Sequence, residues 1–135
     1  MAALKKRYYP KIAEEVYLAT LDNGMSLSII KKKGFIEKAA FLSTNFGALD
    51  NRFYIDGKLQ TYPAGIAHFL EHKLFEDDQG RDVTLDFVKL GADVNAFTTL
   101  DRTTYYFSTI DHFEESLELL LKFTSEFTSS EAVSY

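Results

Sequence analysis

Pro63-Ala64-Gly65-Ile66-Ala67-His68-Phe69-Leu70-Glu71-His72-Lys73-Leu74-Phe75-Glu76 is the stretch around which the rest of the chain can be organised. Its spacing predicts a helix from Pro63 to about Glu76, because proline is tolerated in a first turn and the residue types recur at three- and four-residue intervals. Ile66, Phe69, Leu70 and Leu74 form an apolar stripe read as core. His68, Glu71, His72 and Phe75 form the other face; positions i, i+3 and i+4 are neighbours on a helix, so two imidazoles and a carboxylate converge. With apolar residues on most sides the helix is expected to be largely buried, where such a cluster is costly unless it is paired or bound to a metal. The His-x-x-Glu-His order, with Glu before the second His, is the inverted form of the commoner zinc-peptidase run. It suggests Zn²⁺ held by His68 and His72 with Glu71 as base, and a catalytic zinc needs a third protein ligand as well. Without a metal, the same residues read as two helix histidines held by hydrogen bonds, with Glu71 orienting one ring.

Before this helix, Val16 to Thr20, Asp22-Asn23-Gly24 and Met25 to Ile30 read as two strands joined by a tight turn, since Asn-Gly supplies positive φ. A third strand is expected from Lys38 to Asn45, ended by Gly47. Ala48 to Tyr62 lacks helical periodicity and reads as a long surface loop. After the helix, Asp77, Asp78 and Gly80 are stop signals, and a second helix is expected from Thr84 to Leu90 before Gly91. Val94 to Thr98 and Thr103 to Ile110 predict a hairpin around Leu100, Asp101 and Arg102, its Tyr105, Tyr106 and Phe107 favouring strand and packing in the sheet. Asp111 and Glu114 resemble a capping box, followed by a helical stripe of Phe113, Leu117, Leu120, Leu121 and Phe127. His112 reads as an exposed first-turn residue, and Thr128-Ser129-Ser130 as a loop. The predicted order is three strands, two helices, two strands and a helix: an α+β fold, a mostly antiparallel sheet with helices packed on one face.

The 135 residues, 46% of them hydrophobic, suffice for one packed domain. A net charge of -5 argues against binding a phosphate backbone, so no nucleic-acid partner is expected. There is no cysteine, which removes thiolate ligands and a cysteine nucleophile and suits a reducing, cytoplasmic setting. No apolar stretch follows Lys5, Lys6 and Arg7 as in a signal peptide, and no run reaches the roughly 18 apolar residues of a membrane span. Lys31 to Lys33, followed by Gly34, reads as a solvated turn.

Leu21-Asp22-Asn23-Gly24, the block Ala64 to Glu76, the block Gly91-Ala92-Asp93-Val94-Asn95-Ala96-Phe97-Thr98, and then Thr104 and Tyr105 carry a resemblance that runs from about Leu21 to Tyr135. In these residues the chain resembles the N-terminal part of the M16 (insulinase or pitrilysin) metallopeptidases, the HxxEH inverzincins, and within them the bacterial YmfH-like zinc proteases. The resemblance implies a metallohydrolase-type half-lobe, residues 1–135 forming a single N-terminal domain incomplete at its C-terminus. It implies Zn²⁺ ligation by His68 and His72, and Glu71 as general base toward the water that zinc activates. It places Asn95, Ala96 and Phe97 on a strand whose edge pairs with extended peptide substrate; read without it, Asn95 equally suits satisfying backbone groups at a strand end. The family's third ligand is a Glu that would fall beyond Tyr135, since Glu114, Glu115, Glu118, Glu126 and Glu131 come too early. A second lobe or M16 subunit is implied as partner. The parent is thus expected to be a zinc-dependent metalloendopeptidase, while this chain alone binds metal poorly and hydrolyses little. The alternative is a non-catalytic M16-like subunit or peptide-binding scaffold partnering an active peptidase.

Overall fold

The computed structural model of the chain describes residues 3–125, so Glu126, Phe127, the Thr128-Ser129-Ser130 segment and Glu131 lie outside the described residues. The chain divides into two compact units, Met1–Phe35 and Ile36–Tyr135.

The first unit is an antiparallel sheet of β1 (Lys5–Tyr9), β2 (Glu14–Thr20) and β3 (Ser26–Ile30) in that order. Strand β1 is absent from the sequence reading. All five of its residues are exposed, so no inward alternation marks it, and pairing with β2 defines it together with an ion pair between Lys6 and Glu15. The β2–β3 turn also differs from expectation. Only Gly24 takes positive φ (86°), the Gly24 N–H donates to the Leu21 carbonyl at 2.9 Å, and the Asn23 side chain accepts from the Met25 N–H at 3.0 Å. The turn is therefore a longer one closed by a left-handed glycine instead of a two-residue Asn-Gly turn. Lys31, Lys32 and Lys33 are exposed, as expected of a solvated turn.

The second unit is built on β4 (Lys38–Thr44), β8 (Thr103–Thr109) and β7 (Asp93–Thr98), an antiparallel sheet in the order β4-β8-β7. Between β4 and the first helix, a hairpin of β5 (Arg52–Ile55) and β6 (Lys58–Thr61) replaces the expected structureless loop. Asp56 and Gly57 both have positive φ, 49° and 76°, the backbone of a two-residue hairpin turn whose twist matches its strands. Phe53 anchors this hairpin between Phe46 and Tyr62, with ring centroids 5.6 and 5.4 Å away. Gly47 follows β4 where a β-carbon would lie 2.3 Å from the Arg102 amide nitrogen, so only glycine lets the two segments approach.

Helices α1 (Ile66–Leu74), α2 (Thr84–Lys89) and α3 (Phe113–Ser125) pack on this sheet: α1 on β7 and β8, α2 on β7, α3 on β4 and β8. Strand alternation sorts the side chains. Ala40, Leu42, Val94, Ala96, Tyr105 and Phe107 turn toward the helices and meet Val83, Phe87, Leu120 and Phe123 in one core. Phe41, Phe97 and Tyr106 lie on the opposite face, Phe41 and Tyr106 stacked at 5.3 Å. The α+β expectation, an antiparallel sheet with helices on one face, thus describes this unit. At the start of α3 the capping box does not form as read: His112 precedes the helix in a left-handed conformation (φ 55°), and the Thr109 hydroxyl donates to the Asp111 carbonyl. His112 is exposed, as predicted.

Candidate metal centre

Helix α1 begins at Ile66, three residues later than Pro63. Its N-cap is Gly65, held at φ 88°, a left-handed conformation that costs glycine nothing and breaks the chain direction before the helix. Ile66 and Ala67 are buried and pin the first turn. One turn on, the Nε2 atoms of His68 and His72 stand 3.0 Å apart, the rings tilted at 41° with centroids 4.7 Å apart. The ligand atoms of His68, Glu71 and His72 all lie within 4.8 Å of one another. Helix α1 therefore brings together His68, Glu71 and His72, as their spacing predicts.

The expected burial needs correction. His68 and His72 are exposed, and Phe69, assigned to the core, is 40% exposed, while Leu70 and Leu74 are only half-buried. The nine residues of α1 form a short helix against β7 and β8 that buries Ile66, Ala67 and Glu71, with Leu74 partly buried against the core. Glu71 is the buried member of the trio, 7% exposed, and its carboxylate is satisfied at long range: the Thr98 hydroxyl at the end of β7 donates to Glu71 Oε2. Thr98 is paired in register with Thr103, whose hydroxyl donates to the Phe46 carbonyl at 2.7 Å. Burial first, and then the negative charge of Glu71, push the Tyr105 phenol far above its ordinary value, so Tyr105 remains a neutral hydroxyl.

The donor set fits zinc. Imidazole nitrogens bind Zn²⁺ at about 2.0–2.1 Å, so two of them on a tetrahedral ion stand about 3.3–3.4 Å apart. The observed 3.0 Å is a hydrogen-bonding distance that a small opening of either ring converts to a chelating one. The inward carboxylate lies close enough to both imidazoles for either role expected of it, base toward a metal-bound water or partner that orients a ring. Among the described residues, this trio is the group of three or more His or acidic side chains placed to hold a metal ion.

Asn95, Ala96 and Phe97 lie on β7, which within the sheet is hydrogen-bonded on one side only, to β8. Asn95 and Phe97 are exposed and Ala96 faces the helices. The Asn95 side chain accepts from the Ala96 N–H at 2.8 Å, and Phe97 lies 6.1 Å from the Tyr106 ring. Thr98 is the residue the sequence reading overlooked. A signal was present: in a strand with Val94 and Ala96 inward, position 98 is inward too, and a hydroxyl there needs a partner.

Residues 60–133 match the sequence model of the insulinase family, peptidase family M16. The chain is 43% identical over 125 residues to the uncharacterized zinc protease YmfH of Bacillus subtilis, covering 91% of this chain and 29% of that protein. It is 32% identical over 114 residues to an insulin-degrading enzyme homolog of Dictyostelium discoideum, covering 81% of this chain and 11% of the relative. The crystal structure of an M16-like peptidase from Alicyclobacillus acidocaldarius superposes with a TM-score of 0.78 at 36% identity, over 85% of this chain and 27% of that one. The chain thus spans less than a third of the length of each of these relatives.

Proposed function

The chain belongs to the insulinase (M16) peptidase family, and from that premise we propose that it is the metal-binding N-terminal segment of a zinc-dependent metalloendopeptidase. One observation carries the reading: a buried carboxylate, Glu71, anchored by Thr98 and lying within 4.8 Å of two imidazoles on the same helix. His68 and His72 hold the ion through Nε2, and a Glu contributed from beyond Tyr135 completes the three protein ligands of a catalytic site. Zinc supplies Lewis acidity toward the peptide carbonyl and lowers the pKa of water toward about 7. Glu71 is the general base: its carboxylate takes a proton from the attacking water and returns it to the leaving amine nitrogen. Its burial limits competition from bulk water for that proton.

Substrate is an extended peptide that adds to the open edge of β7 by backbone pairing, Asn95, Ala96 and Phe97 forming its binding strand. Pairing of this kind gives affinity with loose sequence preference, because side chains contribute at alternate positions. A second M16 lobe or subunit is the partner that closes the site, and residues 1–135 act as an incomplete N-terminal domain. No helix among the described residues is long and apolar enough to cross a membrane. The cysteine-free composition fits the cytoplasm as the working compartment.

The test is metal content and peptide hydrolysis of the full-length gene product. Zinc should approach one per chain and collapse in His68→Ala. Glu71→Gln should keep the metal and lose about 10²–10⁴-fold in kcat. A full-length protein without bound metal would sink the reading. Zinc and peptide binding without any hydrolysis would replace it with the non-catalytic scaffold.

A further inference from the structure

We propose that Thr98 is a positioning residue for Glu71: its hydroxyl fixes the carboxylate through Oε2 and so ties the base to the strand that offers the substrate edge. The inference rests on the metallopeptidase reading for its catalytic consequence and on the hydrogen bond alone for its structural one.

Thr98 and Glu71 are 27 residues apart in sequence and meet because α1 packs on β7. A carboxylate that is 7% exposed requires donors, since an unsatisfied buried charge is far more costly than a buried amide. Thr98 has one hydroxyl hydrogen and two acceptors in range: Glu71 Oε2 and, at 3.5 Å, Thr103 Oγ1. The carboxylate wins that choice, because a bond to a charged acceptor is about twice as strong as a neutral one and 3.5 Å is at the outer limit of hydrogen bonding.

Three features hold the hydroxyl in place. Threonine is stiff about χ1. Strand alternation turns position 98 toward α1, as it turns Val94 and Ala96. Thr103, 2% exposed and fixed by its own bond to the Phe46 carbonyl, stands directly across the ladder. The effect on Glu71 is directional. With Oε2 anchored to the sheet, the carboxylate is kept from swinging onto the metal as a further ligand, which favours the base role over the ligand role. A peptide added to β7 is registered against the same strand that sets the base.

Two measurements on the full-length protein test this. In a double-mutant cycle of Thr98→Val and Glu71→Ala, read by denaturant unfolding of the metal-free protein, the unfolding constants should show coupling of about tenfold or more, as expected of a hydrogen bond to a charged group. In peptide hydrolysis, Thr98→Val, which keeps the shape and removes the donor, should lower kcat by about 10–100-fold with KM within about twofold, and Thr98→Ser should restore kcat to within about threefold. A cycle that closes additively overturns the proposal, as does a Thr98→Val enzyme with wild-type kcat. Failure of the metallopeptidase reading is distinguishable: it appears in the wild-type protein as absence of metal and hydrolysis, while the cycle needs neither.

Discussion

Helices α1 and α3 pack on the same sheet, yet they meet it in opposite ways. Helix α3 buries Leu120 and Phe123 in the core beside Phe87 and Tyr105, with Phe87 and Tyr105 edge-on to Phe123 at 5.9 Å, and turns Glu114, Glu115 and Glu118 outward. Helix α1 buries the carboxylate of Glu71 and leaves Phe69, His68 and His72 exposed. Each also buries a polar group, and the manner differs. The Ser116 hydroxyl of α3 donates to the His112 carbonyl in its own first turn, whereas Glu71 depends on Thr98 from another element. A local bond needs only the helix to form; a long-range bond needs the tertiary fold to be in place first. Helix α3 is arranged for stability, and α1 keeps a carboxylate buried and two imidazoles exposed at a cost that the sheet offsets.

The largest effect should come from truncating the conventional helix. Leu120→Ala removes a side chain that is 1% exposed, and filling or tolerating that cavity should cost about 2–5 kcal/mol in urea unfolding. Phe69→Ala in α1, at 40% exposure, should cost less than about 1.5 kcal/mol. Equal losses would erase the contrast between the helices.

The same contrast explains what could be read in the sequence. Helix α3 was legible from its stripe because apolar periodicity is caused by burial; burial follows the stripe at Leu120, but Leu121 is exposed and Phe123, outside the stripe as read, is buried in the core. Helix α1 was legible for the opposite reason: His68, Glu71 and His72 are spaced by helix geometry, so their convergence holds whichever side faces water. Their burial was misjudged because a stripe of Ile66, Phe69, Leu70 and Leu74 says nothing about how much sheet lies beneath a nine-residue helix. Strand β1 and the β5–β6 hairpin were hidden differently. The first has no buried face, and in the second the Asp56-Gly57 pair was available but its short flanks, Arg52 to Ile55 and Lys58 to Thr61, carry little alternation. Thr98 stood in the recognised block from Gly91 to Thr98, but its role was reachable only by carrying strand alternation one residue beyond Phe97 and asking what its inward hydroxyl bonds.

A smaller effect is expected where α1 starts. Gly65→Ala meets open space, since nothing lies within 4 Å of the added β-carbon, so its cost is the left-handed backbone alone, about 1–2 kcal/mol in thermal or denaturant unfolding. A loss beyond that range would mean that the cap does more than set the backbone. Ser116→Ala in α3 should cost less still, about 1 kcal/mol or below, because the His112 carbonyl keeps the Ser116 N–H at 3.0 Å as its donor. A loss well above this would show that α3 relies on a polar group as heavily as α1 does.

The smallest effect lies beyond the C-terminus of α1, where Arg81 bridges Asp77 and Asp86 at 2.9 and 3.0 Å before α2. The backbone N–H of Arg81, then its guanidinium, holds the Asp77 carboxyl below its ordinary value, and the Arg81 guanidinium does the same for Asp86. Both carboxyls are thus depressed in the folded state, so their stabilising contribution is complete above the unfolded value of about 3.9 and is lost as pH falls through the lower folded values. Asp77 and Asp86 are only half-buried and Arg81 is exposed, so solvent screening keeps the contribution small. Melting temperature followed from pH 5 downward should fall slightly more steeply in the wild type than in Arg81→Ala, which removes the guanidinium these carboxyls share. Identical slopes would mean that the link from α1 to α2 is held by its backbone bonds alone, such as the Val83 N–H to the Phe75 carbonyl at 2.8 Å, and not by charge. In that event the buried Glu71, and not the surface ion pairs around Arg81, would be the acidic group that distinguishes α1 from α3.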